Sequence, residues 1–187
     1  YDWSKYDNIL DSFRSLDPQA QAITQIKKKG LRDLGGCLSS DSAHLIAVGA
    51  ETMALRMDRA CANALALAEF LQSHPKIAKV YYPGLKQHPQ YERAKEYFKH
   101  FGAIISFDLI DSIDPVAFLG ELELVISATH LGDNRTLALP VAQTIFWEMG
   151  LENRQKSGIS ENMIRMSVGI EESQDLLDDF EQALTKF

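Results

Sequence analysis

Cysteine is scarce in this 187-residue chain, and its two copies, Cys37 and Cys61, form no CxxC pair. Zinc sites and redox pairs place cysteines a few positions apart, and small secreted folds use many more of them. The five histidines form no HExxH motif. The sequence therefore predicts neither a disulfide framework nor a metal site, and it favours a reducing, cytoplasmic compartment.

Long apolar runs and a leader segment are also missing. The most apolar stretch, residues 60–71, is interrupted by Asn63 and Glu69, so we predict no helix that spans a membrane. The chain opens on Tyr1 without a methionine or a signal-peptide pattern. This opening predicts a fragment or a processed product.

Positive charge is sparse, because 19 Lys and Arg face 26 Asp and Glu and give a net charge of −7. The last 27 residues carry −5 of it, since seven acids there face only Arg165 and Lys186. A nucleic-acid partner requires a basic face, so none is expected. The acids Asp175, Asp178 and Asp179 are predicted to form the solvated face of the last helix.

Helix and strand patterns alternate over a chain that is 45% hydrophobic, enough for one sizeable core. The absence of a long run of parallel βαβ units favours a two-layer α/β sandwich that follows a helical segment. Gly49 is predicted to mark either a bend or a close helix contact within the longer helical stretch, and it is interpreted as a domain joint. The predicted helices are 19–34, 42–73, 89–100, one starting at Asp114–Pro115, and 174–187, and the predicted strands are 77–82, 103–109, 123–128 and 163–168.

One arginine inside the last predicted strand is the main candidate for binding. Burying Arg165 is costly unless it meets an anion, and its planar guanidinium suits a carboxylate. The alternative is an arginine that extends to solvent or pairs with a nearby Glu. His130 and Thr144 are weaker candidates, because the residues alone favour a surface histidine for the first and a hydroxyl bonded to the backbone for the second. Asp133 and Arg135 are expected to pair locally.

Several short segments follow one another along the chain in a recognisable order. They are 30–39 (GLRDLGGCLS), 49–57 (GAETMALRM), 80–85 (VYYPGL) with His88–Pro89 after it, 131–133 (LGD), 158–160 (GIS) and 164–171 (IRMSVGIE). Taken together, these segments resemble the Cys/Met-metabolism enzymes that depend on pyridoxal phosphate (PLP). The N-terminal residues 2–4 (DWS) also resemble the O-acetylhomoserine sulfhydrylase branch of that family.

The resemblance implies fold type I, with residues 1–48 ending a large PLP-binding domain and residues 49–187 forming the C-terminal substrate-binding domain. The lysine that holds the cofactor lies in a Ser-x-Thr-Lys context in this family, and no such segment is present. PLP is thus expected in a full-length enzyme, whereas this chain alone is expected to bind none and to be inactive.

The resemblance also assigns substrate-binding roles to four residues. Arg165 matches the arginine that holds the substrate α-carboxylate, and Thr144 keeps a hydroxyl of the family's HPASxTH segment. His130 replaces a serine that is usual in the family, and Ile145 replaces the histidine of that segment. Ser39 is placed near the substrate end of the cleft.

Two hypotheses follow for the function. In the first, the chain is the C-terminal domain of a transsulfuration enzyme that carries out γ-replacement or elimination on cystathionine, methionine or an O-acylhomoserine. In the second, it is a non-catalytic structural or oligomerisation module derived from that family. The resemblance implies an amino-acid substrate and a homo-oligomer, a tetramer built from dimers.

Overall fold

The computed structural model describes residues 17–187, so the segment at residues 2–4 lies outside the described part. The chain divides into two compact units, of which the first ends at Glu51 and the second is Thr52–Phe187. The assignment of residues 1–48 and 49–187 to a large and a small domain stays a prediction, because contacts within one chain do not identify the larger body to which each part belongs.

The described elements alternate between helices and short strands. In chain order they are α1 (Pro18–Gln25), a π-helical turn (Ile26–Leu31), α2 (Arg32–Leu34), α3 (Ser40–Glu51), α4 (Met53–Ser73), β1 (Ile77–Tyr81), α5 (Tyr91–Tyr97), β2 (Ile104–Leu109), α6 (Pro115–Gly120), β3 (Ile126–Ser127), β4 (Leu137–Pro140), a 3₁₀ turn (Trp147–Met149), α7 (Leu151–Lys156), β5 (Met163–Ser167) and α8 (Ser173–Thr185).

In the first unit, a capping side chain and a glycine determine where the helical stretch begins and ends. The carboxylate of Asp17 accepts a hydrogen bond from the backbone N–H of Gln19 (2.8 Å), with a proline at the first helical turn. Gly35 ends the helical stretch in the left-handed conformation (φ 66°). The helix predicted over residues 19–34 is thus confirmed, with a wider π-helical turn in its middle.

The second unit is a five-stranded mixed sheet with helices on one face. The strand order is β1-β2-β5-β4-β3, in which only β3 and β4 run parallel. Helices α4 and α8 contact each other, and α4 also packs against β1 and β2. This arrangement agrees with the predicted two-layer α/β sandwich.

The core lies between the sheet and these two helices. Alternating strand residues point into it, including Phe107 on β2 and Ile164 on β5, both fully buried. The rings of Phe107, Phe118 and Phe180 meet pairwise at centroid distances of 6.0 to 6.3 Å. Because the core takes one face of each strand, the alternate residues, including Arg165, belong to the other face.

The predicted strands 77–82, 103–109 and 163–168 are confirmed to within a residue at each end, whereas β4 and α7 were missed. β4 is only four residues long, and its identity as a strand depends on its antiparallel pairing with β5. Of the alternatives predicted for Gly49, the bend is wrong, because the chain remains helical there and the helix is interrupted at Thr52 instead.

The prediction that Asp179 faces solvent is also wrong. Its side chain is 5% exposed, and its carboxylate accepts hydrogen bonds from the backbone N–H groups of Glu123 (2.8 Å), Leu124 (3.1 Å) and Val125 (3.3 Å). These bonds satisfy amides that a strand would have used, which explains why the strand predicted over residues 123–128 shrinks to Ile126–Ser127. Asp178 does face solvent, as predicted.

Within residues 17–187, no helix combines the length and the apolar character that crossing a membrane requires.

Candidate functional site

Arg165 lies in the middle of β5, on the sheet face opposite the core. Its strand neighbours are Ser106 on β2 and Leu139 on β4. The Nη2 atom donates to the carbonyl oxygen of Thr129 (3.0 Å), while the buried Nε atom has no partner. No ion pair to Arg165 occurs among residues 17–187. The guanidinium therefore keeps donors that an anion can satisfy.

Arg154 shows what a structural arginine looks like in this chain. It is 4% exposed, and its Nε and Nη2 atoms bind the two carboxylate oxygens of Glu161 at 2.9 and 3.0 Å. Its Nη1 atom also donates to the carbonyl oxygens of Phe146 and Trp147. The alternative considered for Arg165, pairing with a nearby Glu, is thus realised by Arg154 and not by Arg165.

His130 lies in a loop that is tied to β5 on both sides of it. The carbonyl of Thr129 accepts from Arg165, and the N–H of Gly132 donates to the hydroxyl of Ser167 (2.9 Å). These two contacts hold the His130 backbone next to the Arg165 strand. The imidazole is exposed, and it has no hydrogen-bond or ion-pair partner within the described residues.

Asp133 and Arg135 pair with each other in the same loop, which confirms the expected local pair. Two hydrogen bonds of 3.1 and 3.2 Å join the side chains. The hydrogen bond from Arg135 lowers the pKa of Asp133 to about 2. The negative charge of Asp133 is thereby matched within the loop.

Thr144 uses its hydroxyl locally. The Oγ1 atom donates to the carbonyl oxygen of Pro140 (2.5 Å), which is the backbone-bonded alternative that the sequence left open. Ile145, which follows it, is exposed. A substrate contact by Thr144 would use the lone pairs of the same oxygen.

Ser39 belongs to the first unit, where its hydroxyl oxygen accepts the backbone N–H of Ser42 (3.1 Å) and caps α3. The serine therefore has a structural reason to be there, and its suggested place in the substrate cleft stays a prediction.

A network of hydrogen bonds fixes the turn that follows β5. In the sequence this turn was visible only as a glycine followed by two acidic residues. The carboxylate of Glu171 accepts from the N–H (2.5 Å) and the hydroxyl (2.8 Å) of Thr136. The side chain of Asn63 donates to the carbonyl oxygens of Gly169 and Glu171. A Cβ atom at Gly169 would overlap the backbone at Asn134 and at Arg135. This turn fixes the end of the strand that carries Arg165.

A second polar group on the Arg165 face was missed by sequence reasoning. The hydroxyl of Tyr81 donates to one oxygen of Asp108 (2.7 Å), and Ser160 donates to the other (2.6 Å). Burial and, secondarily, the hydrogen bond to Asp108 raise the pKa of Tyr81 to about 12. The only sequence signal was the polar alternation around Ser106 and Asp108 in β2.

The strands paired with β5 do not supply the lysine of a covalent PLP site. The sheet contains one lysine, Lys79 on β1, which lies two strands from β5 and above the ring of Tyr81 (4.5 Å to the centroid). PLP chemistry needs a lysine at the substrate α-carbon. No group of three or more metal-binding side chains occurs in the described part of the chain.

Comparison with known proteins identifies the relatives of the chain. It is 42% identical over 164 residues to the L-methionine gamma-lyase of Fusobacterium nucleatum, and 39% identical over 165 residues to the O-acetyl-L-homoserine sulfhydrylase of Leptospira meyeri. Each alignment covers 87% of this chain, but only 42% and 37% of the two relatives. The chain thus spans about two fifths of the length of these relatives.

Solved structures agree with this relationship. The cystathionine gamma-lyase of Lactobacillus plantarum, complexed with L-serine, superposes with a TM-score of 0.76 at 35% identity, covering 82% of this chain and 40% of that one. The O-acetylhomoserine sulfhydrylase of Wolinella succinogenes gives a TM-score of 0.76 at 38% identity, with 88% and 44% covered. The profile of the Cys/Met metabolism PLP-dependent enzymes matches residues 13–185. The chain therefore belongs to this family.

Proposed function

We propose that this chain is the C-terminal, substrate-binding domain of a PLP-dependent enzyme of sulfur amino-acid metabolism. The reaction is γ-replacement or elimination on cystathionine, methionine or an O-acylhomoserine, and the role of this domain is to hold the α-carboxylate of the substrate. The support from relatives is that methionine gamma-lyases and homoserine-ester sulfhydrylases align with it over most of its length.

The observation that carries the proposal is the unpaired guanidinium of Arg165. A buried arginine normally has a charged partner, as Arg154 has in Glu161. Arg165 has instead one carbonyl contact and an unpartnered Nε atom. The strand and the Thr129 carbonyl fix its direction, so that a carboxylate can bind without a large loss of side-chain entropy.

His130, Thr144 and Ser39 are proposed as neighbouring substrate contacts. The hydrogen bonds of Thr129 and Gly132 to β5 hold the backbone of His130 beside the strand that carries Arg165. The imidazole of His130 is larger than the side chain of the serine that is usual in the family, and it can carry a charge. We therefore expect His130 to influence which substrate side chain is accepted. Thr144 has an oxygen that can accept a further hydrogen bond, whereas Ser39 enters on the resemblance alone.

The cofactor-binding part of the enzyme is proposed to lie outside this chain. Neither β5 nor the two strands paired with it contain a lysine, and the sequence has no Ser-x-Thr-Lys segment, so we expect the chain alone to bind no PLP covalently and to catalyse no turnover. Incubation with PLP, reduction with borohydride and mass spectrometry measure this directly. One equivalent of PLP retained at a single lysine would contradict the proposal.

The role of Arg165 is tested in the longest reading frame that contains this chain. Replacing Arg165 by Ala removes the proposed charge-assisted, bidentate hydrogen bonds to the substrate α-carboxylate, which are worth about 2–4 kcal/mol. KM for the amino-acid substrate should therefore rise by roughly 30-fold or more. Arg165→Lys should reverse part of this rise in KM, because a lysine restores the charge but not the bidentate hydrogen bonding. Steady-state kinetics with methionine, cystathionine and O-acetylhomoserine provide the measurement.

Arg135→Ala is the matched control, since it removes an exposed cation that Asp133 already neutralises. It should leave KM within about twofold, as expected for a surface pair. An Arg165→Ala enzyme that folds normally and keeps its KM would refute the carboxylate-binding role.

The second candidate function, a non-catalytic oligomerisation module, is favoured by one observation. Helix α3 has no buried residue and exposes Leu45, Ile46 and Val48. If purified protein from the longest reading frame associates but is inactive with all three substrates, this second function is supported instead.

A further inference from the structure

A cavity of about 780 Å³ opens beside α5, on elements other than the strand that carries Arg165. Its volume lies within the range of small-molecule sites, about 300–1,000 Å³. All of its residues belong to the second unit. It is lined by Pro83, Gln90, Arg93, Ala94, Tyr97 and Phe98, and by the segment 100–102.

The walls of this cavity are held by contacts that do not involve any ligand. The ring of Phe101 stacks on Tyr91 with the centroids 5.6 Å apart. The hydroxyl of Tyr82 donates to the carbonyl oxygen of Gly102 (2.8 Å), and His100 contacts Asp58 (2.9 Å). The concave surface is therefore built by the fold itself, so a ligand would not have to order these groups.

The rim combines exposed aromatic rings with one unpaired cation. Tyr97 and Phe98 are 67% and 65% exposed, although aromatic side chains usually bury most of their surface. The guanidinium of Arg93 has no hydrogen bond and no ion pair within residues 17–187. His100 is already engaged by Asp58, so Arg93 is the charge available to a ligand.

We propose that this cavity binds a small organic anion with a flat apolar body, of the class of aromatic carboxylates. The body would lie against Tyr97, Phe98 and Phe101, and the carboxylate would meet Arg93. Apolar burial and one charge-assisted contact are the usual components of such a site. The proposal is independent of the substrate role of Arg165.

The test uses naphthalene-2-carboxylate as the probe and the 187-residue chain as the receptor. Titration calorimetry measures the affinity, and amide shifts in ¹H–¹⁵N spectra locate the probe. The expected shifts cluster at residues 90–102. Arg93→Gln should weaken binding about tenfold, as loss of a charge-assisted hydrogen bond does. The neutral naphthalene-2-carboxamide should bind wild type about tenfold more weakly, and Arg93→Gln should not discriminate between the two compounds.

Two controls separate this site from other surfaces. Lys95→Gln removes an exposed cation from the same helix and should leave the affinity unchanged, and Arg165→Ala should do the same. Tyr97→Ser should weaken both compounds equally, because it removes apolar surface and no charge. The proposal is overturned if the shifts cluster at residues 163–167 or on α3, or if the acid and the amide bind wild type equally.

Discussion

Two acidic side chains, the buried Asp179 and the half-buried Glu171, bind backbone N–H groups of the second unit. Asp179 binds three consecutive N–H groups, and Glu171 binds the N–H and the hydroxyl of Thr136. A carboxylate left without such donors would cost several kcal/mol. Arg165 differs from both, because its buried Nε atom has no partner in the described part of the chain. At the scale of single residues, this unmet donor is the observation on which the proposed carboxylate-binding role of Arg165 rests.

The Tyr81–Asp108 contact predicts a pH-dependent stability at this scale. The folded pKa of Tyr81, about 12, lies above the ordinary value of 10.0. Folding therefore favours the protonated phenol, and this contribution is complete below pH 10 and is lost as the pH rises towards 12. Tyr81→Phe should be less stable than wild type by about 1 kcal/mol at pH 8. Urea unfolding should show that the difference in the free energy of unfolding between wild type and Tyr81→Phe is smaller at pH 11 than at pH 8.

Tyr97→Phe is the control for that measurement, because the Tyr97 side chain is largely exposed and makes no hydrogen bond within the described residues. Its stability should follow wild type at both pH values. A Tyr81→Phe difference that is the same at pH 8 and pH 11 would contradict the assigned pKa shift.

At the scale of elements, one arginine stabilises the segment that connects β4 to β5. Arg154 on α7 joins the carbonyls at residues 146–147 to the carboxylate of Glu161. This segment also covers a small apolar cluster on the Arg165 face, formed by Leu139, Val141 and Met163. Its conformation therefore depends on a side-chain anchor more than on regular secondary structure.

Arg154→Ala should destabilise the fold by about 2–3 kcal/mol, since it leaves carbonyls and a partly buried carboxylate without their donor. Lys156→Ala, on the same helix, removes only an exposed pair with Glu152 and should cost less than about 0.5 kcal/mol. Denaturant midpoints give both values, and hydrogen exchange should accelerate first at residues 146–162 in Arg154→Ala. Equal midpoints for the two variants would contradict the anchoring role.

At the scale of the whole molecule, the division into two units is accompanied by exposed apolar surface. Helix α3 has no buried side chain, and α4 begins with Met53, Leu55 and Met57 exposed. Such surface normally marks an interaction site in a protein that is stable in solution. The relatives are more than twice as long as the segment that aligns with this chain, so more protein is available to cover this surface in their case.

We expect the isolated chain to self-associate through this surface. Light scattering should show an average mass that rises above 21.0 kDa with concentration. The double variant Leu45→Lys with Ile46→Lys should stay closer to the monomer mass, whereas Val116→Lys, a single exposed apolar residue elsewhere, should behave as wild type. A wild-type mass that is independent of concentration would refute the expectation.

The sequence predicted those features that depend on neighbours along the chain. The helix at the end of the chain, the helix that starts at Asp114–Pro115 and the pair of Asp133 with Arg135 are all confirmed. Each involves residues within a few positions of one another, so that composition and spacing suffice. The ordered segments between residue 30 and residue 171 likewise determined the family.

The tertiary structure decided the features that depend on distant partners. Asp179 faces inward because amides more than fifty residues away need an acceptor, and β4 exists because β5 offers an edge. Which arginine is structural could not be read from spacing, since both Arg154 and Arg165 lie near acids in the sequence. In the folded chain Glu161 pairs with Arg154, whereas the Nε atom of Arg165 has no hydrogen-bond acceptor within the described residues. Pairing depends on which groups lie close together in space, and spacing along the sequence does not show this.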